Sequence, residues 1–354
     1  MAYTNIDDPS AYFQVATYTG NGSTQSITND GNSDMQPDWV WIKSRSNASW
    51  HSLQDSSRGA TKTLFTNTTN AEITYTDAQT SFDSDGFSLG ADASGGSVNV
   101  SSRTYVAWQW KANGGTTVSN TDGSITSTVQ ANQDAGFSIV TWAGTASTAT
   151  IGHGLGVAPK FMIVRARDKG VPTSWIVFHK DGSTSDDDYF ILQGTFAKGT
   201  QAGLWNNQYP SSTVFGVAND FWVNSASTNY IAYCFAEKQG YSKFGSYVGN
   251  GNDNGPFIYT GFKPAFVLTK GTTVSQWRLY DSARSPNNVN INRLFPYTSS
   301  AEATDTDAGI DMLSNGFKIR GSGGDYNASG TTYIYMAFAD NPFTTSTGIP
   351  TTAR

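Results

Sequence analysis

Nine residues, "TYVAWQWKA" from Thr104 to Ala112, return as "NYIAYCFAE" from Asn229 and again as "TYIYMAFAD" from Thr332. Each copy opens on a polar residue and a tyrosine, alternates large apolar with small residues, and closes a block rich in Ser, Thr, Asn and Gly. The landmarks upstream recur in the same order. An aromatic-x-Gly pair comes first (Tyr18/Gly20, Trp142/Gly144, Tyr247/Gly249). Then come a proline-led apolar strand ending on a basic residue (Pro37 to Lys43, Pro159 to Arg165, Pro264 to Lys270), a tryptophan (Trp50, Trp175, Trp277) and a phenylalanine strand (Phe87, Phe221, Phe317). The glycine-to-tyrosine spans are 20 to 105, 144 to 230 and 249 to 333, nearly constant. A fixed period marks a repeated unit. At about 100 residues the unit is domain-sized, so each copy is expected to close its own core.

The unit reads as antiparallel β. Its apolar runs are short, alternate in polarity and are interrupted by Gly, Pro, Asn or Asp at intervals of roughly ten residues, as in sandwiches and jelly rolls. Only three glutamates occur (Glu72, Glu237, Glu302), whereas aromatics make up 13 % of the chain, a bias toward strands. In the closing strand Val106, Trp108 and Trp110 share one face, and so do Ile231 and Ile334 with their neighbours two residues on; this face is expected to line the core. The fold expected is all-β: three tandem antiparallel β-sandwich (jelly-roll or concanavalin-like) domains. The boundaries are an N-terminal arm at 1–12, repeats at 13–112, 136–237 and 238–343, a linker with a possible hairpin at 113–135, and a C-terminal tail at 344–354.

A net charge of −6 with basic residues scattered singly gives no basic face for nucleic acid. The single cysteine, Cys234, excludes an internal disulfide and reads as a buried, inert thiol. The N-terminus lacks the basic start and apolar core of a signal peptide, and no apolar run approaches a membrane span. The expectation is a protein made in the cytoplasm without membrane insertion.

Catalytic signals are weak. No nucleophile elbow, HExxH or P-loop is present. His51, His153 and His179 do not cluster, and His179 aligns with Asp55 and Asp281 of the other copies. The aspartate groups Asp83/Asp85, Asp186/Asp187/Asp188 and Asp305/Asp307 read as solvated loops, with calcium the alternative. "DSSR" (Asp55 to Arg58) recurs as "DSAR" (Asp281 to Arg284), an ion pair expected to fix a turn or an inter-domain contact. We expect no catalytic residues, no metal and no cofactor. The best ligand candidate is "LWNNQYPSS" (Leu204 to Ser212), absent from the other copies. There Trp205 and Tyr209 could stack on sugar faces while Asn206 and Asn207 bond hydroxyls; a packed connection between sheets is the alternative.

The segments "MAYTNIDDPSAYFQVATYTGNG", "GHGLGVAPKFMIVRAR", "YIAYCFAEKQGYSKFGSYVGNG" and "LYDSARSPNNVNI" resemble the repeats of virion structural proteins, tail-fibre or capsid-associated, from marine tailed phages such as cyanophages and pelagiphages. That resemblance covers Ala11 to Phe343 and implies a non-enzymatic β-sandwich protein residing in the virion. Its partners would be other virion proteins and host surface polysaccharide, and the homo-oligomer favoured is a trimer. The role implied is host attachment by a tail fibre; the alternative is a capsid decoration or tail connector without ligand.

Overall fold

The computed structural model describes residues 3–169 and 173–351, so the outermost residues of the expected arm and tail (1, 2 and 352–354) lie outside the described residues. The chain is nearly all β and its sheets are antiparallel. Among the described residues no helix is long and apolar enough to cross a membrane.

Each sequence repeat carries a larger sheet and a smaller one. In the first, Phe13–Thr19 pairs with the closing strand Thr104–Trp110, which pairs in turn with Trp39–Ser44, followed by Ser52–Asp55. The second repeats that order with Phe137–Ala143, Asn229–Phe235, Phe161–Ala166 and Ile176–His179. The third does so with Ser242–Val248, Thr332–Pro342, Phe262–Gly271 and Arg278–Asp281. The smaller sheets face these: Gln25–Ile27 with Gly86–Leu89, Ala149–Gly152 with Val214–Val217, and Asn254–Tyr259 with Gly316–Arg320.

The closing strand is buried on both faces. One face meets the small sheet of its own repeat, as Tyr105 and Ala107 do with Phe87 and Leu89. The other face holds Val106, Trp108, Trp110, Ile231, Tyr233, Phe235, Ile334, Met336 and Phe338, and all nine belong to one core common to the three repeats. The expectation that this face lines the core of a self-sufficient unit therefore needs correction: it lines an interior that no single repeat encloses. Trp39 stacks at 4.4 Å on Trp110 of its own repeat and at 4.4 Å on Tyr233 of the second. Trp110 meets Phe266 and Phe338 of the third, each at 5.6 Å, and Phe235 meets Phe338 at 5.8 Å. Aromatic surface of this size is the dominant apolar contribution available to such a chain.

The repeated tyrosine has a local task. Its ring stacks on the aromatic of the aromatic-x-Gly pair, Tyr105 on Tyr18 at 5.0 Å, Tyr230 on Trp142 at 5.4 Å and Tyr333 on Tyr247 at 5.1 Å. Its hydroxyl accepts from the backbone N–H five residues upstream, that of Val100, Ser225 or Ala328. A landmark missed in the sequence completes this corner. Asn99, Asn224 and Asn327, each six residues before the tyrosine, are buried and accept from the N–H of Asn21, Thr145 and Asn250. The paired glycine is required by this close approach: a Cβ on Gly20 would lie 2.3 Å from the Val100 carbonyl oxygen, and one on Gly144 2.1 Å from that of Ser225. Gly20→Ala is expected to destabilise the chain by about 1–3 kcal/mol, the range for overpacking. The shift in denaturant midpoint measures it; an unchanged midpoint would contradict the corner.

The linker is not loose. Val118–Asn120 pairs with Ser127–Asn132, which adds itself antiparallel to Phe137–Ala143. The arm and tail meet where Asp7 accepts from the backbone N–H of Ser346 at 2.6 Å. Ile6 enters the common core.

Candidate functional site

The expected sugar-binding loop is only partly open. Trp205 is 1 % exposed, its indole N–H donates to the Asp188 carbonyl at 3.1 Å, and its ring stands edge-on to Phe178. It is a core residue of the second repeat and offers no face to a sugar, which corrects its assignment to the stacking pair. Asn206 and Asn207 carry the reversal of the chain with φ of 59° and 50°, a conformation asparagine tolerates. Asn206 is half-buried and Asn207 exposed. Tyr209 is 37 % exposed, with the Lys180 ammonium 2.9 Å from its ring centre. The loop thus presents Tyr209 and the amides of Asn206 and Asn207, with the Lys180 cation beside the tyrosine.

The concentrated chemistry lies where the repeats meet. Asp55 and Arg58 have fully buried side chains. The Arg58 Nε donates to Asp55 Oδ2 at 2.5 Å, and the same oxygen accepts from the Tyr233 hydroxyl of the second repeat at 2.8 Å. In the third repeat Arg284 donates to Asp281 Oδ2 at 2.5 Å, and Trp108 of the first repeat donates its indole N–H to that oxygen at 2.9 Å. Tyr233 and Trp108 hold the same place in the closing strand, three residues after its tyrosine. The third copy of that place is Met336, which has no N–H or O–H to give. There His179 replaces the aspartate, and its Nε2 lies 3.1 Å from the Tyr335 carbonyl. Donor and acceptor therefore change together at this junction, which explains the mismatch that isolates His179 in the sequence. Burial would depress the guanidinium pKa of Arg58, but the charges of Asp55 and Glu72 outweigh it and raise the pKa.

Two of the three glutamates clamp the same junctions from outside. Glu72 accepts from Arg58 at 3.0 Å and, with both oxygens, from Arg167 of the second repeat. Glu302 accepts from Arg284 at 2.8 Å and, again bidentately, from Arg45 of the first. Burial alone would raise both carboxyls; the arginines hold them below the usual range. The glutamates stand at different sequence distances from their Asp–Arg turns, because the intervening loops differ in length, and so the pattern was hidden.

The tryptophan landmark also needs a correction. Counting back four residues from Asp55, His179 and Asp281 gives His51, Trp175 and Trp277. The indoles of Trp175 and Trp277 donate across a junction to the Phe65 and Ile191 carbonyls, at 2.8 and 2.9 Å. His51 takes that place in the first repeat: it is buried, accepts from the Trp41 indole at 3.0 Å, and has the Phe295 carbonyl beside its ring without hydrogen-bond geometry. Trp50 is 40 % exposed.

The basic residue ending each proline-led strand is buried and feeds carbonyls. Lys43 donates to Ser44 O at 2.7 Å, Lys270 to Gly271 O at 2.8 Å and Thr273 O at 3.0 Å, and Arg165 to Thr173 O and, across a junction, to Thr69 O, both at 2.6 Å. Burial pushes both lysine ammoniums down to about 7 and His179 down to about 4. In an unfolded chain lysine titrates near ~10.4 and histidine near ~6.5. Through these three groups the folded state binds fewer protons than the unfolded one from about pH 4 to 6.5 and again from about pH 7 to 9, below the range where the tyrosines and Cys234, raised by burial, act in the opposite sense. Their contribution to stability rises with pH through both windows. Melting temperatures measured across this range should climb, and Lys43→Met should flatten the upper window; an unaltered slope would refute the assignment.

The acidic loops are internally engaged. Asp83 accepts from Ser81 and Ser88, Asp187 from the N–H groups of Gly203 and Trp205, and Asp305 from Arg293. Among the described residues no group of three or more His, Cys, Asp or Glu could hold a metal ion. Cys234 is buried, and burial raises its thiol pKa.

One protein-family model matches, described as Domain of unknown function (DUF7483), over residues 8–342. No curated protein and no solved structure matches. The matched span runs through all three repeats and holds every residue of the common core except Ile6.

Proposed function

The chain belongs to the DUF7483 family, and from that premise we propose that it is a non-enzymatic structural protein of a bacteriophage virion. On this reading 13–112, 136–237 and 238–343 are three fused copies of one jelly-roll or concanavalin-like β-sandwich. The observation that carries the proposal is the closure of three repeats around one aromatic interior, with cyclic polar contacts at the junctions. Such a body is rigid without disulfides, as a particle component exposed outside a cell must be. Its proposed partners are other virion proteins and further copies of the chain, with a homotrimer favoured.

The particular role we propose is a tail fibre or adhesin that touches host surface glycan through Asn206, Asn207 and Tyr209. The burial of Trp205 favours a second reading, a capsid decoration or tail connector that binds no ligand. Antibodies against the chain should label purified virions, at the tail for the first reading and at the head or the tail junction for the second; unlabelled particles would refute both. On glycan arrays the first reading expects binding that Tyr209→Ala weakens by about tenfold, roughly the 1–1.5 kcal/mol of one aromatic contact. No binding to any host envelope glycan leaves only the second.

A further inference from the structure

The three repeats treat the outer edge of their first strand differently. In Phe13–Thr19, hydrogen bonds from Lys111 N–H to the Tyr12 carbonyl and from Gly20 N–H to the Arg103 carbonyl set the alternation of the ladder. Gln14, Ala16 and Tyr18 bond inward to the closing strand, and Val15 and Thr17 turn their N–H and C=O outward. In the second repeat the matching outward groups, those of Ile139 and Thr141, face Gln130 and Thr128 of the added strand Ser127–Asn132. The buried Gln130 amide then reaches across the junction to the hydroxyls of Ser56 and Ser57 on the first repeat's Asp–Arg turn, at 2.9 and 2.8 Å. In the third repeat the turn Lys180–Gly182 stands against Ser242–Val248.

Among the described residues no strand is added to the first repeat, and the turn at Ser282 and Ala283, which corresponds to Lys180–Gly182, stands across a gap from Phe13–Thr19. A groove of about 390 Å³ runs along Phe13 to Thr17, and its far wall includes Ser282 and Ala283, the counterparts of Ser56 and Ser57. The strand "FQVATYT" contains no proline and no charge, the usual devices that block pairing at an edge. We propose that this groove binds an extended segment of another protein chain by antiparallel strand addition, as Ser127–Asn132 does one repeat away. The recognising chemistry is set by the walls. Opposite Val15 the guest carries an amide that reaches Ser282, flanked by small or β-branched residues against Ala265 and Ala283. The Asp30 carboxylate on the rim favours a basic residue at one end. The inference concerns this edge alone and stands whether or not the chain belongs to a virion.

The probe is a labelled synthetic peptide of residues 126–133, titrated into the full chain by fluorescence anisotropy with amide exchange followed in parallel. Saturable binding is expected, with exchange at Val15 and Thr17 slowed by at least about tenfold and exchange at Ser246 unaltered. Thr17→Pro removes an outward N–H and should weaken binding by about tenfold or more. Ser282→Trp, which fills the groove from its other wall, should do the same should the proline variant fail to fold. Absence of saturable binding to the folded chain overturns the proposal, as does binding that leaves Val15 and Thr17 exchange unchanged. Protection of these amides by self-association alone would assign the edge to a second copy and overturn it too.

Discussion

Trp39→Ala should lower the stability of the whole chain by about 3–5 kcal/mol, the range for emptying a large aromatic site in a packed core. The expected result is one denaturation transition that moves as a unit, although the substitution lies in the first repeat. Trp39 stacks on Tyr233 and approaches Phe137 and Phe235 of the second repeat, and through Trp110 it is one ring removed from Phe266 and Phe338 of the third. Loss of its contacts therefore loosens all three sectors together. The complementary expectation is that residues 13–112 expressed alone do not fold into a soluble monomer, because Trp39, Trp41, Trp108 and Trp110 would all face water. Three separate transitions, only one of them displaced by Trp39→Ala, would refute the common core.

Arg58→Met should cost a comparable amount, about 3–5 kcal/mol, because it leaves the Asp55 carboxylate buried with the Tyr233 hydroxyl but no cation. Glu72 would at the same time keep only Arg167. The double replacement Asp55→Asn with Arg58→Met removes the stranded charge, and should recover part of the loss. A double-mutant cycle read by chemical denaturation tests this, and additive losses would show that the two side chains do not act as a pair. Arg284→Met should behave alike, since Asp281, Trp108 and Glu302 reproduce the arrangement.

Much of this was legible beforehand because it is local. The aromatic-x-Gly pair, the proline-led strand and the closing tyrosine sit at nearly constant distances within a repeat, so the all-β character, the repetition and the Asp–Arg turns are legible directly. The buried asparagine six residues before each tyrosine is equally local, but it is less conspicuous than the larger aromatics around it. Residue type alone is a poorer guide than register and burial. Trp50 looked equivalent to Trp175 and Trp277 as a residue type, yet the register set by Asp55 places His51 there. Trp205 looked like half of a sugar platform, yet its neighbours Leu204 and Phe178 draw it into the interior of the second repeat.

The sequence by itself determined the strands, their alternation and the number of copies, since backbone propensity and period depend on residues close together in the chain. The tertiary structure alone decided that the second apolar face of each closing strand meets its two counterparts. It likewise decided that Asp55, Asp281 and His179 each reach into another repeat. A period of two specifies that a face is apolar, but it cannot say which other surface covers that face. Partners more than a hundred residues away are selected by shape and hydrogen-bond complementarity, which come into being only when all three sheets pack together.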